Sequence, residues 1–234
     1  AKIPIFVGTI RMQKPGEAGL AKVIERSQPD GILARNLAAL QWTAGHRWPT
    51  IADFSLNAAN DLTAGWLIEQ GASHVVASYD LNRDQLLELV RHVRPAWLEV
   101  VIHQHMAMFH MEHCVFCAVL SPGTNKTNCG RPCDRHTVQL LDRRGKAHPL
   151  VADVACRNTL FNATPQSGAE LVPGLRQAGI SRFRVELLEH RAADIATLIG
   201  LYRQLLDGRL SGSSIWQTLR ADNRVGITRG TNET

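Results

Sequence analysis

Five cysteines fall between positions 114 and 156 of this 234-residue chain, and the rest of the sequence has none. Four of them, Cys114, Cys129, Cys133 and Cys156, are separated by 14, 3 and 22 residues. Thiolates are soft donors, and four of them suit an iron–sulfur cluster or zinc. Cys129 and Cys133 bracket Gly130-Arg131-Pro132, a short stiff turn that can aim two sulfurs at one centre. The ferredoxin run of two-residue gaps is absent, and so are the paired knuckles of a zinc ribbon. The pattern predicts a metal centre and leaves iron and zinc both open. A secreted disulfide scaffold would spread and pair its cysteines, whereas this set is crowded and odd in number. Cys117, inside the apolar run Val115-Phe116-Cys117-Ala118-Val119-Leu120, reads as a packing residue.

Four of the ten histidines lie just ahead of this cluster. His103 and His105 follow an apolar run at alternating positions, so an extended chain would point both to one face. His110 and His113 are three apart and would share a face of a helix. With Glu112 they resemble a zinc-protease motif but lack its His-Glu-x-x-His spacing. His103, His105, His110 and His113 are candidate catalytic residues. Arg131, Arg135, Arg143, Arg144, Lys146 and Arg157 make the same segment basic. Guanidinium groups suit carboxylate or phosphate. Arg131 and Arg157, beside expected metal ligands, are the substrate-binding candidates, while Arg143 and Arg144 read as a solvated turn. The formal net charge of +5 allows an anionic partner, an RNA or a small carboxylate, without requiring one. No aromatic interleaving of the base-stacking kind accompanies the charges.

The elements that must position these residues follow a β/α rhythm. Strands are predicted at 3–7, 30–34, 50–56, 74–77, 97–102 and 182–187. Helices are predicted at 62–70, 82–93, 169–178 and 192–206, with a short one around Trp216. This spacing means parallel βα units. The first strand is not followed by Gly-x-Gly-x-x-Gly, which removes the Rossmann fingerprint and favours a TIM-like (β/α) barrel, here with about six strands. Residues 103–165 break the rhythm and read as a cysteine-rich insertion. The organisation predicted is a partial barrel domain over 1–206 and a C-terminal extension over 207–234. No apolar run reaches the ~20 residues of a membrane span, and the start lacks signal-peptide character, so a cytoplasmic location is expected.

Several stretches together resemble the collagenase-like peptidase family, unassigned peptidase family 32. They are Asp30-Gly31-Ile32-Leu33, Leu98-Glu99-Val100-Val101-Ile102-His103, Cys114, Asn128-Cys129-Gly130-Arg131-Pro132-Cys133, Phe161-Asn162, and Ala178-Gly179-Ile180 to Phe183-Arg184-Val185-Glu186. The resemblance implies a TIM-like barrel of which this chain carries the C-terminal part, with the early strands supplied by a preceding segment or a partner subunit. It also implies a four-cysteine 4Fe-4S cluster. Similar proteins act in dioxygen-independent hydroxylation of RNA bases or of a quinone precursor, with prephenate implicated as the oxygen source for the RNA enzymes, and other relatives are called collagenases. Many relatives place their last cysteine where Ser167 stands, so Cys156 is inferred as the fourth ligand. Glu186 keeps the acidic position of the family's Lys-Ile-Glu-Gly-Arg and joins Arg131 and Arg157 as a substrate-binding candidate. The change to Leu187-Leu188 leaves the substrate open. Three functions follow: an iron–sulfur hydroxylase, a peptidase, or a non-catalytic zinc-stabilised or RNA-binding module.

Overall fold

The structure, a computed structural model, describes residues 2–221. Its first part lays down βα units in the order β1 (Phe6–Gly8), α1 (Gly19–Ser27), β2 (Gly31–Ala34), α2 (Leu37–Ala44), β3 (Thr50–Ala52), α3 (Asp61–Glu69), β4 (His74–Val76), α4 (Arg83–His92) and β5 (Leu98–Gln104). Asparagines start three of these helices. Asn36, Asn60 and Asn82 accept hydrogen bonds from the backbone N–H groups of Ala39, Thr63 and Gln85, and Gln85 returns a bond to Asn82. Each cap satisfies an N–H that the helix itself cannot. Helix α2 has no counterpart in the predicted elements. The strand predicted over 50–56 is shorter, because the chain winds into a 3-10 turn at Phe54–Leu56.

After β5 the chain forms β6 (Ala107–Met111), α5 (Val115–Leu120), β7 (Val138–Leu141), β8 (Ala147–Ala152) and β9 (Asn158–Phe161). It then returns through β10 (Gln166–Ser167), α6 (Val172–Gln177), β11 (Arg182–Val185), α7 (Ala192–Leu206) and α8 (Gly212–Leu219). The polar tail of the predicted extension lies outside the described residues.

Strands β1 to β5 pair in parallel and in order, and β11 adds in parallel to β5. The short β10 pairs antiparallel with the end of β5. The result is a mixed α/β fold whose sheet curls into half a barrel. Among the described residues no pairing joins β1 to β11, and six parallel strands fall short of the eight that close a TIM barrel. Leu98, Val100 and Ile102 of β5 point to the helical layer, where they pack with Leu67, Leu89, Leu175 and Leu198. The intervening Glu99 belongs to the concave side, where it meets Arg184. The strand over 97–102, an apolar run in the sequence, is thus not buried equally on both faces but alternates.

Residues 103–165 carry more order than an elaborated loop. Strands β6-β9-β8-β7 form a separate antiparallel sheet around a small cluster of Phe116, Leu150 and Leu160. Among the described residues, no helix is long and apolar enough to cross a membrane.

Candidate functional site

The cysteines reach one place from three different local structures. Cys114 is the residue before α5. It receives a hydrogen bond from Asn158 Nδ2 at 3.8 Å, while Asn158 Oδ1 accepts the Val115 N–H at 2.7 Å. Asn158 is fully buried, so one side chain both caps α5 and holds the Cys114 sulfur. Cys129 and Cys133 flank a turn in which Gly130 and Arg131 are both left-handed (φ 66° and 54°) and Pro132 opens a 3-10 turn. Ser121 ties this turn down by donating to the Cys129 carbonyl at 2.8 Å. Cys156 has φ 65°, a conformation that costs a non-glycine residue roughly 1 kcal/mol. The Asp153 carboxylate imposes it by accepting from the N–H groups of Ala155 and Arg157, both at 2.8 Å.

Cys114, Cys129, Cys133 and Cys156 all line one cavity of about 950 Å³, whose opposite wall is made by Leu20, Ile24 and Trp42 of α1 and α2. Burial pushes the Cys133 and Cys156 thiols up, and neighbouring thiols add to the effect at both. Cys117 is buried beside Cys129 and donates to the Gly123 carbonyl at 3.4 Å. Among the described residues no three His, Cys, Asp or Glu side chains are gathered tightly enough to hold a single metal ion. The donor set is four thiols spread over one cavity wall, with an amide N–H already directed at a sulfur. Four thiols are a donor set that suits an iron–sulfur cluster or zinc.

The histidines divide between the two sheets. His103 and His105 end on one side of β5, each close to His190, with ring centroids 6.2 and 6.0 Å from it. His103 is 2% exposed, and its Nδ1 lies 3.3 Å from the Tyr202 hydroxyl, which donates to the Ile102 carbonyl at 3.0 Å. The Tyr202 oxygen therefore accepts from His103 Nδ1–H, and Nε2 is left as a buried acceptor with no partner. Burial, reinforced by His105 and His190, lowers the His103 pKa to about 4. Burial also lowers His105, whose Nδ1 donates to the Asn162 carbonyl at 2.8 Å. His110 and His113 do not share a helix face. His110 sits on β6, opposite Thr159, and His113 is exposed in the following turn. Cross-strand pairing with β9 overrides the helical spacing. His110 Nδ1 is 2.8 Å from Thr159 Oγ1.

The substrate-binding candidates are equally dispersed. Arg131 is exposed and pairs with Asp134 at 2.9 Å. Arg157 is 1% exposed, with Nε on Glu112 at 2.8 Å and Nη2 on Glu17 at 3.0 Å, while Nη1 has no partner. It ties the β9 end of the antiparallel sheet to the segment before α1. Glu186 lies on the concave side of the half-barrel, 3.5 Å from Arg184, and burial pushes its carboxyl up against the pull of that guanidinium. Arg184 also bonds Glu99 and the fully buried Asp53 (2.8 Å), which Arg35 shares at 3.0 Å. Asp53, Tyr79 and His190 were not among the predicted residues. Asp53 directly follows β3, and Tyr79 lies three residues past the end of β4, on the loops where barrel sites form; the predicted strand over 50–56 hid this for Asp53.

The sequence profile of Peptidase family U32 matches residues 17–231, and the chain belongs to that family. No curated protein matches it.

Proposed function

We propose that this chain is an iron–sulfur protein supporting dioxygen-independent hydroxylation of RNA bases or of an aromatic or quinone precursor. Its half-barrel is read as part of a (β/α) barrel. The observation that carries the reading is the convergence of Cys114, Cys129, Cys133 and Cys156, from three separate segments, on the wall of one cavity. The U32 family membership agrees with it. These four thiolates would hold a 4Fe-4S cluster, which supplies electron transfer when bound. The protein's own part is to fix the ligands and to shield them. Asn158 orients Cys114, Ser121 anchors the Cys129 turn, and Phe116 and Leu150 form the dry floor behind Cys114 and Cys133. Neutral His103 and His105 are placed to accept or relay a proton on the barrel side.

Anaerobic purification with iron, sulfide and zinc analysis tests the reading. Roughly four irons and four sulfides per chain, with absorption near 400 nm lost in Cys133→Ser, are expected for four-cysteine ligation. Zinc without sulfide would reduce the site to a structural staple and end the hydroxylase proposal. Given the cluster, anaerobic turnover must add one oxygen to an RNA or quinone-precursor substrate.

A further inference from the structure

The antiparallel sheet ends at β7, whose outer edge pairs with no strand among the described residues. Against β8, Val138 stands opposite Leu150, Gln139 opposite Pro149, Leu140 opposite His148 and Leu141 opposite Ala147. Opposed residues of an antiparallel pair alternate between exchanging two backbone hydrogen bonds and exchanging none. Pro149 has no N–H, so Gln139 and Pro149 exchange none. The Asp142 N–H donates to the Lys146 carbonyl at 3.0 Å, which carries the same alternation on to the turn. The N–H and C=O groups of Gln139 and Leu141 therefore point away from β8, to the open edge. Leu140 and Leu141 are 49% and 69% exposed beside them. Unpaired backbone groups next to exposed leucines are a template for another strand. Val138 and Leu140 share the face of Leu150 by register, so a strand laid on this edge widens the small cluster around Phe116 and Leu150.

Charge selects the strand. Arg135 precedes β7, Arg143 and Arg144 follow it, and all three are exposed. Among the described residues none of them has a carboxylate within salt-bridge distance. The two acids nearest in sequence are engaged elsewhere: Asp134 pairs with Arg131, and Asp142 accepts from the N–H groups of Arg144 and Lys146 and lies 3.3 Å from His148. Arg135 donates to the Gly130 carbonyl, which leaves its charge uncancelled. A second copy pairing antiparallel on this edge would bring Arg143 and Arg144 beside the other copy's Arg135, and like charges set opposite one another repel. The same charges attract an acidic strand. A nucleic acid would answer the guanidinium groups but would leave the outward N–H groups and the leucines unmatched.

We propose that the β7 edge docks an extended acidic segment of another protein by strand addition, with its carboxylates on Arg135, Arg143 and Arg144. The proposal does not rest on the cluster reading. Fluorescence anisotropy of the full chain, at determined metal content, tests it with a short capped peptide of alternating valine and threonine flanked by aspartates. Saturable binding below about 1 mM is expected. It should weaken about tenfold or more when Arg143→Glu and Arg144→Glu are combined, and likewise in Leu141→Pro, which removes an outward N–H and no ladder bond to β8. The double variant lies in an exposed turn and covers the case in which Leu141→Pro fails to fold. Peptide binding should also slow amide exchange at Gln139 and Leu141. Equal binding of a lysine-flanked peptide would overturn the proposal. So would oligouridine displacing the peptide at equal concentration, unaltered affinity in either variant, no added protection at Gln139 and Leu141, or no binding at millimolar concentration. A dimer of the wild-type chain that Leu141→Pro abolishes would assign the edge to a second copy and overturn it as well.

Discussion

The half-barrel and the antiparallel sheet that follows β5 keep their shape by different means. In the half-barrel, Leu98, Val100 and Ile102 enter one continuous apolar cluster reaching from α2 to α8, and the concave side is closed by the ion network of Asp53, Glu99, Arg35 and Arg184. The antiparallel sheet has Phe116, Leu150 and Leu160 as its buried cluster and leaves Phe109, Leu141 and Val154 exposed. A core of that size supplies little stability. Its order comes from attachments: Arg157 to Glu17 and Glu112, Asn158 to Val115 and Cys114, and the proposed thiolate centre. The teaching is that one chain can place a rigid frame next to a sheet that depends on pins, and that damage to the two should look different.

The largest effect is expected at Asp53. Asp53→Ala leaves Arg35 and Arg184 without their shared, fully buried partner and should cost about 3–5 kcal/mol, read as a fall in the urea midpoint of the whole domain. A change confined to local hydrogen exchange would erase the distinction drawn between the two regions.

Acid comes next. His103 has its folded pKa lowered to about 4 from the ordinary histidine value of about 6.5. The unfolded chain therefore binds the proton first. Stability from this group is full above pH 6.5 and is lost as pH falls toward 4, by roughly 3 kcal/mol over the window. Urea unfolding between pH 7 and 4 should show that slope, and His103→Gln should flatten it. An unchanged slope would mean that His103 is not the buried neutral group described.

In the antiparallel sheet, Asn158→Ala removes the cap on α5 and the hydrogen bond to Cys114. A loss of about 1–2 kcal/mol is expected, appearing as faster amide exchange in α5 and β9 while β2 to β5 stay protected. Equal loosening of both regions would show that they unfold as one. The smallest effect is at the exposed start of α4, where Asn82→Ala should cost about 1 kcal/mol without altering the thiol-lined cavity.

What the sequence determined by itself was local. Apolar periodicity and the Asn and Gly punctuation placed most of the strands and helices of the half-barrel, since side-chain period and capping depend on neighbours a few residues away. The cysteine spacing, likewise, identified the segment that carries the thiols. Tertiary structure decided the rest. His110 and His113, spaced as on a helix, lie on and after a strand because pairing with β9 outweighs local preference. Arg157 reads as a substrate-binding candidate in sequence yet is buried, because Glu17, 140 positions away, meets it. Arg184 finds Asp53 across 131 positions, and Arg11 finds Tyr79 across 68. Charge neutralisation and burial depend on which distant groups the fold brings within a few ångströms. Coulomb and hydrogen-bond terms fall off over that distance, and no spacing along the chain encodes it.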